Sequence, residues 1–391
     1  MTKSDIVTEL GFLQINHFGE ELCGDHVEIA TNPHTKILVL ADGLGSGVKA
    51  NILSILTSKT LATMMNNDVN MDEILETIAE TLPVCKERGV AYSTFTAIKV
   101  TDDKYVEIYN YDNPLPFVLR NGKHLDLAYS STIHKGKNID HTSFTAECFD
   151  TIYAMSDGII HAGIGSSLNF GWELPEVIDY ASHTYLETFS AKSLSTILVS
   201  HVNDLYASKP GDDCTCAVVR FRDKKYANLM IGPASVREDD DSMISSFINS
   251  QGKHIVSGGT TSHIVSKYLN KPILLSMDYE DKDIPPTAKI EGLDLVTEGI
   301  ITINRVLEYA QNVLCDNSKY FDWCYRSDGA SEIARILFEE ATDINFFVGC
   351  AINPAHQAEG LPINFKTKMQ LIDSLAIALR KMGKNVKVRY Y

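Results

Sequence analysis

The sequence predicts an α+β chain in two parts. Residues 1–222 read as antiparallel β-sheets flanked by helices, and residues 227–391 as a separate α/β domain. Three observations lead there. Between Phe12 and Phe221 strands outnumber helices and are joined mostly by hairpin-like turns, which favours antiparallel sheets with helices laid on them. Beyond the short charged link "RDKKY" (Arg222 to Tyr226), apolar strands alternate with helices, the pattern of a parallel sheet. A length of 391 residues also exceeds one ordinary hydrophobic core, so two domains are the natural division.

In the first part, "HVEIAT" and "KILVLAD" read as neighbouring strands joined by the turn "NPHT". "SGVKANILSILTSKTLATMM" has apolar residues at helical spacing, and "MDEILETIAETLPVCKE" makes a second helix. "AYSTFTAIKVT" and "KYVEIYNYD" alternate as paired strands, and "PFVLRNGKHLDLAY" is a hairpin around Asn121-Gly122. "DTIYAMSDGIIHAG" is another apolar strand that ends in Asp-Gly. A long helical stretch, "LPEVIDYASHTYLETF" through "LSTILVSHVNDLYAS", leads to a sharp turn and a last strand in "KPGDDCTCAVVRFRD".

In the second part, "YANLMIGPA", "KHIVSGG" and "DINFFVGCAIN" read as buried strands. "DDSMISSFINSQ", "TSHIVSKYL", "TINRVLEYAQNVL", "SEIARILFEEAT" and "KMQLIDSLAIALRKMG" read as helices.

The formal charge of −16 argues against a nucleic-acid partner and against docking on anionic membranes, both of which need a basic face. Clustered carboxylates suit divalent cations instead. No apolar run reaches the roughly 18 residues of a membrane span, and the first residues lack the apolar stretch of a signal peptide. Eight cysteines are too few for a disulfide scaffold in a chain of this length, so a reducing cytoplasm is the expected location. "CTC" (Cys214 to Cys216) could be a metal or redox pair, but within "CTCAVVRF" it alternates as a strand, and small buried side chains are the plainer reading.

Four aspartates sit beside turns at strand ends: Asp25 in "CGDHVEI", Asp42 in "LADGLGSG", Asp157 in "MSDGII" and Asp212 in "PGDDCT". Any one of them alone is an ordinary turn residue. Their recurrence at the mouths of successive core strands is what suggests a site, because pairing of those strands brings the carboxylates to one edge. A hard divalent ion takes such oxygens together with a carbonyl and waters, and a glycine after the aspartate lets the backbone turn its carbonyl toward an ion.

Taken in order, "CGD", "ADGLGSGVKA", "NYDNPLPFVLRNG", "MSDGII" and "PGDDCT" resemble the metal-dependent (PPM-type) serine/threonine phosphatases, in their stage II sporulation E-like branch. The resemblance runs from about Gly11 to Arg222. It implies a β-sandwich flanked by helices and hydrolysis of phosphoserine or phosphothreonine on a protein, with a small anti-sigma-antagonist-like protein as the expected substrate. Carried over by motif, Asp42 would bridge two Mn²⁺ or Mg²⁺ ions and position the water they activate, and the Gly43 carbonyl would bind one ion. Asp157 and Asp212 would hold the other, with Asp25 binding the pair directly or through water. Asp213 would shape the loop. Gly45, Ser46 and Gly47 would start a helix that can regulate the site.

Two departures stand out. "GEELCGD" has no arginine near the first acidic motif, and Leu44 follows Asp42-Gly43 where better-known relatives have histidine. His26 and His161 lie beside the motifs as candidate acids, or face solvent or core. Two other functions remain open: a catalytically silent scaffold with this fold, and a ligand-sensing module that acts through partner binding.

In the second part, "KHIVSGGTTSHIVSKYL" sets Gly258, Gly259, Thr260 and Thr261 between a strand and a helix. That turn could face a small anionic ligand such as a nucleotide, or be an N-capped helix start and nothing more. Thr297-Glu298-Gly299 repeats the arrangement, with Glu298 either a polar ligand group or a favourable first-turn charge. "NPAHQAEGLP", with His356, reads as a polar loop. The economical expectation is a sensor or docking domain.

Overall fold

In a computed structural model the structure describes residues 6–81, 93–134, 137–165, 167–276, 283–351 and 365–391. The last six residues of the helix expected over 71–87 and the loop holding His356 lie outside these residues. The chain divides into two compact units, Met1–Asp223 and Lys224–Tyr391. Among the described residues no helix is long and apolar enough to cross a membrane.

The first unit holds two antiparallel sheets. One has the order β1-β11-β10-β6-β7, from Ile6–Ile15 (β1), Phe117–Arg120 (β6), Lys123–Leu125 (β7), Asp150–Met155 (β10) and Cys214–Asp223 (β11). The other runs β2-β3-β4-β5-β9-β8, from Asp25–Thr31 (β2), Thr35–Gly43 (β3), Ser93–Thr101 (β4), Tyr105–Tyr111 (β5), Ser130–His134 (β8) and Lys137–Thr145 (β9). Period-two alternation decides which side chains meet. Leu38, Leu40, Ile98, Val106 and Ile108 point inward from the second sheet to meet Val118, Ile152, Ala154, Val219 and Phe221 of the first.

Ile37, Val39 and Ala41 point the other way. They pack under helices Gly47–Asn66 (α1) and Met71–Thr81 (α2). On the far side, Leu13, Tyr153, Cys216 and Val218 pack under Leu174–Thr184 (α4) and Ala191–Leu205 (α5), which follow the one-turn helix Asp157–Ile160 (α3). The result is a helix–sheet–sheet–helix sandwich, the expected α+β layering. β10 and β11 are covered on both faces, which explains why they read as continuous apolar runs.

The hairpin turn falls at Asn121-Gly122, both at positive φ (50° and 75°), as a tight two-residue turn requires. Sequence reasoning did not find β1, β8 and β9. "IVTELGFLQI" carries Glu9 and Gly11 inside the strand, and the Glu9 carboxylate takes a bond from Arg222 at 3.1 Å. β8 and β9 are polar strands at one end of the sheet, so no apolar alternation announces them. The long helical stretch splits into α4 and α5 because Ser190 caps the second helix, its hydroxyl accepting from the Ser193 N–H.

The second unit is a seven-stranded sheet of order β14-β15-β16-β13-β12-β17-β18. Its strands are Tyr226–Ile231 (β12), Lys253–Ser257 (β13), Leu274–Leu275 (β14), Ala288–Lys289 (β15), Leu295–Thr297 (β16), Asp343–Val348 (β17) and Asn385–Tyr390 (β18). The last five strands of the order are parallel. Helices Asp240–Ile248 (α6) and Gly259–Leu269 (α7) carry the chain from β12 to β13 and onward. Ile300–Leu314 (α8), Tyr320–Trp323 (α9) and Gly329–Ala334 (α10) return it to β17, and Phe365–Lys381 (α11) joins β17 to β18. The helix expected over 331–342 changes at Arg335–Glu340 to the wider π form. β18, short and half polar, is also missed from sequence, as are the two-residue strands β14 and β15.

Candidate active site

At one end of the sandwich the acidic motifs meet. β2 pairs with β3 so that Asp25 stands directly opposite Asp42. Residues opposed in an antiparallel ladder share a face, with Cβ atoms about 5 Å apart. The face here is the one that carries Val27, Leu38 and Leu40 into the space between the sheets. Two like charges are thus held side by side where the apolar core ends, an arrangement that disfavours folding unless something binds there.

The other sheet supplies the rest. β10 ends at Met155, and Ser156 caps α3, whose first residue is Asp157. The Ser156 hydroxyl donates to Asp25 Oδ2 at 2.7 Å and accepts from the Thr215 N–H at 2.9 Å, so one side chain ties β2 to the ends of β10 and β11. Asp25 is buried, at 1% exposure, and its Oδ1 has no hydrogen-bond partner among the described residues. A buried carboxylate oxygen left open in this way is a poor structural feature and a good ligand atom.

Asp212 and Asp213 precede β11 and behave differently. Asp213 is buried and gives both oxygens to backbone: Oδ1 accepts from the His17 N–H and Oδ2 from the Gly24 N–H, each at 2.9 Å. Among the described residues the Asp212 carboxylate accepts one local bond, from the Asp213 N–H at 2.8 Å. Asp157 lies 4.0 Å from the His161 ring, and both side chains are about half exposed.

The carboxylates raise one another's affinity for protons. Burial, then repulsion from Asp25, Asp157, Asp212 and Asp213, pushes the Asp42 carboxyl up to about 9. Burial pushes Asp25 up to about 7 against the pull of the neighbouring Thr215 hydroxyl and the Ser156 bond, with Asp213 and Asp157 adding to the rise. Asp212 is raised as well, first by burial. Burial likewise lifts the thiols of Cys23 and Cys214 beside the site, which keeps them protonated and poor nucleophiles. Cys214 and Cys216 are both buried strand residues with free thiols.

The glycines around the site are there for closeness. A Cβ on Gly43 would fall 2.1 Å from the Ala50 carbonyl oxygen, so α1 presses against the end of β3 only because the position is bare. The turn into α1 has Gly45 and Gly47 at positive φ (89° and 72°), with Ser46 as an extended cap whose side chain makes no capping bond. The Glu20 carboxylate lies against this turn, 3.5 Å from the Ser46 hydroxyl. His26 is turned to the helix side, its Nδ1 2.8 Å from the Ser58 hydroxyl, away from the acid pair.

Sequence reasoning missed Ser156. A serine before a helical aspartate reads as a cap, yet its side chain makes no capping bond, and only the fold reveals its bond to a residue 131 positions away.

Among the described residues no group of three or more His, Cys, Asp or Glu side chains forms a ready-made metal cage. The donor set still suits a hard divalent cation. It is all oxygen, it includes the open Asp25 Oδ1, and its mutual repulsion is what a cation would relieve. Asp25, Asp42, Asp157 and Asp212 with the Gly43 carbonyl are the groups that could hold one.

Residues 32–222 match the family model of stage II sporulation protein E (SpoIIE). Over that stretch the family resemblance of the motifs holds. Solved structures give 17% identity and a TM-score of 0.49 to the PP2C phosphatase domain with a fragment of the regulatory domain of SpoIIE from Bacillus subtilis, over 57% of this chain and 66% of that one. The chain thus spans slightly under two thirds of that structure. The SpoIIE phosphatase domain from Bacillus subtilis in a crystal form without domain swapping gives 16% and 0.44, over 56% and 95%. The RsbU and RsbW domains of a Mycobacterium tuberculosis protein give 16% and 0.44, over 56% and 62%. Comparison with curated proteins gives no match.

In the second unit, Gly258, Gly259 and Thr260 lie at the surface where β13 turns into α7. Thr261 is buried, and its hydroxyl accepts from the Gly232 N–H at 2.8 Å, which ties the start of α7 to the end of β12.

Proposed function

We propose that the first unit is a divalent-metal-dependent phosphatase that hydrolyses phosphoserine or phosphothreonine on a protein. The observation that carries this reading is the pairing of Asp25 with Asp42, with Asp25 Oδ1 buried and unbonded. In it Asp42, Asp25, Asp157, Asp212 and the Gly43 carbonyl hold two Mn²⁺ or Mg²⁺ ions, and Asp42 positions the attacking water. Bound ions of this kind turn water into hydroxide near neutral pH and neutralise phosphoryl oxygens. Ser156 fixes the rotamer of Asp25, and Asp213 fixes the loops that carry His17 and Gly24. The raised cysteine thiols take no part.

The turn Gly45-Ser46-Gly47 couples α1 to the site, because Gly43 and Ala50 are in contact and any shift of α1 moves the end of β3. The phosphoprotein substrate is of the anti-sigma-antagonist type, acting in bacterial cytoplasmic signalling. The second unit senses a small anionic ligand or docks a partner and biases the first.

The test is release of phosphate from a phosphothreonine peptide with and without Mn²⁺, for wild type and Asp42→Ala. Mn²⁺-dependent turnover lost in the variant supports the reading. Absence of metal binding by calorimetry overturns it. The silent-scaffold reading is the second to consider, because the described side chains form no complete cage. Metal binding without turnover on any phosphopeptide would favour it.

A further inference from the structure

The five parallel strands of the second unit lie in the order β16-β13-β12-β17-β18. From β12 the chain first steps one way, to β13 and β16, and then returns past β12 to β17 and β18. Met243, Ile244 and Phe247 of α6 and Val265 of α7 pack on one face of the sheet, against Met230 and Val256. Right-handed crossovers put α8, α10 and α11 on the other face. The order therefore reverses between β12 and β17, and an open α/β sheet has a crevice at that point, outside the carboxyl ends of its strands.

Four strands bring a glycine to this edge. Gly232 follows β12, Gly258 and Gly259 follow β13, Gly299 comes two residues after β16, and Gly349 follows β17. Gly232 and Gly258 hold positive φ (81° and 115°). A Cβ on Gly349 would fall 2.3 Å from the Gly232 carbonyl oxygen. These positions bring backbone to backbone at this part of the edge.

At the reversal point lies a cation. Lys368 of α11 is only 8% exposed, and its Nζ donates to the Gly349 carbonyl at 2.6 Å. The same Nζ stands 2.7 Å from where a Gly232 Cβ would be. The Gly232 N–H in turn donates to Thr261 in the first turn of α7. Lysine, glycine edge and helix start are thus contiguous, and the first amides of an α-helix have no partners within it. Burial lowers the affinity of Lys368 for its proton, so an anion beside it would be held in part by restoring that charge.

We propose that this crevice binds a phosphate-bearing small molecule, with Lys368 as the charged contact and the edge from Gly232 to Gly259 as its backbone cradle. Of the turn Gly258–Thr261, this site uses the surface residues and leaves Thr261 to its structural bond. The inference deepens the sensor reading of the second unit and is independent of the phosphatase reading of the first.

The experiment is calorimetric titration of the full chain with ADP and, separately, with inorganic phosphate. It is carried out without divalent metal in an Asp42→Ala background, so that the acidic site contributes nothing. ADP is expected to bind, and Lys368→Met to weaken it at least tenfold. Lys253→Met, at the opposite edge of the sheet, is expected to leave it unchanged. Phosphate binding with the same Lys368 dependence and no gain from ADP would identify a simple anion site. Hydrogen exchange on the chain with Lys368 intact serves if the lysine variant does not fold. ADP should then protect residues 231–233, 257–262 and 348–350. No binding of either probe at millimolar concentration, equal binding by Lys368→Met, or protection confined to other segments would overturn the proposal.

Discussion

Replacing Asp42 by asparagine should stabilise the protein in the absence of metal while removing its response to metal. The Asp42 carboxyl is partly buried opposite Asp25, and desolvation and repulsion raise it from 3.8 to about 9. A group raised on folding gives stability that is whole below its unfolded value and is lost as pH climbs toward the folded one. The metal-free chain should therefore weaken between about pH 4 and pH 9. At pH 7 the folded state still holds a proton that the unfolded chain has released. Three pH units at about 1.4 kcal/mol each put the cost on the order of 4 kcal/mol. Local relaxation and water entry reduce it to roughly 1–3 kcal/mol. For a unit of this size that is about 3–10 °C in Tm. Melting of wild type and Asp42→Asn by circular dichroism in EDTA, at pH 5 and pH 8, reads it directly. The variant should melt higher, with the larger gap at pH 8. Mn²⁺ at a hundred times its Kd should raise wild type by about 2.7 kcal/mol and leave the variant unmoved. If the variant melts lower than wild type at pH 8 in EDTA, the carboxylate is held by favourable contacts and the reasoning about repulsion fails.

Other outcomes follow from single contacts. Gly43→Ala sets a methyl 2.1 Å from the Ala50 carbonyl oxygen, so α1 or β3 must move, and denaturant melts should show a loss of about 1–3 kcal/mol together with weaker Mn²⁺ binding. Asp213→Ala strips acceptors from the His17 and Gly24 amides and should cost about 2–4 kcal/mol by urea unfolding. The residues freed should gain amide exchange around 17–24. Arg120 forks onto the buried Asp150 with two bonds of 2.8 Å, and Arg120→Met strands that carboxylate, costing about 3–5 kcal/mol in the same unfolding assay. Ser156→Ala removes one of the bonds that favour ionised Asp25, and Mn²⁺ affinity by calorimetry should fall several-fold with the fold intact.

What was legible in the sequence was whatever repeats locally. The strands β3, β10 and β11 are written as apolar runs, and the four aspartates were visible because each stands beside a turn at the end of such a run. What was not legible depended on distant partners. Glu9 makes β1 look like a surface segment until Arg222, 213 residues later, pairs with it. Asp213 looks like the twin of Asp212 until the amides of His17 and Gly24 turn out to occupy it. In the second unit the glycines after the strands were each readable as turns, but their common edge depends on a strand order that no local pattern encodes.

The same contrast explains why the two aspartates of "DDCT" differ in kind. A carboxylate that already accepts two backbone bonds has little reason to bind an ion, since each bond would have to be given up. One that is buried with an oxygen unbonded, or that faces another carboxylate across a ladder, gains from the ion what folding left unsatisfied. Asp213 belongs to the first kind and Asp25 and Asp42 to the second. The fold holds the second pair against its own electrostatics because the sheets behind it, packed through Leu38, Leu40, Ile152 and Val219, supply the stability that the acid pair withdraws.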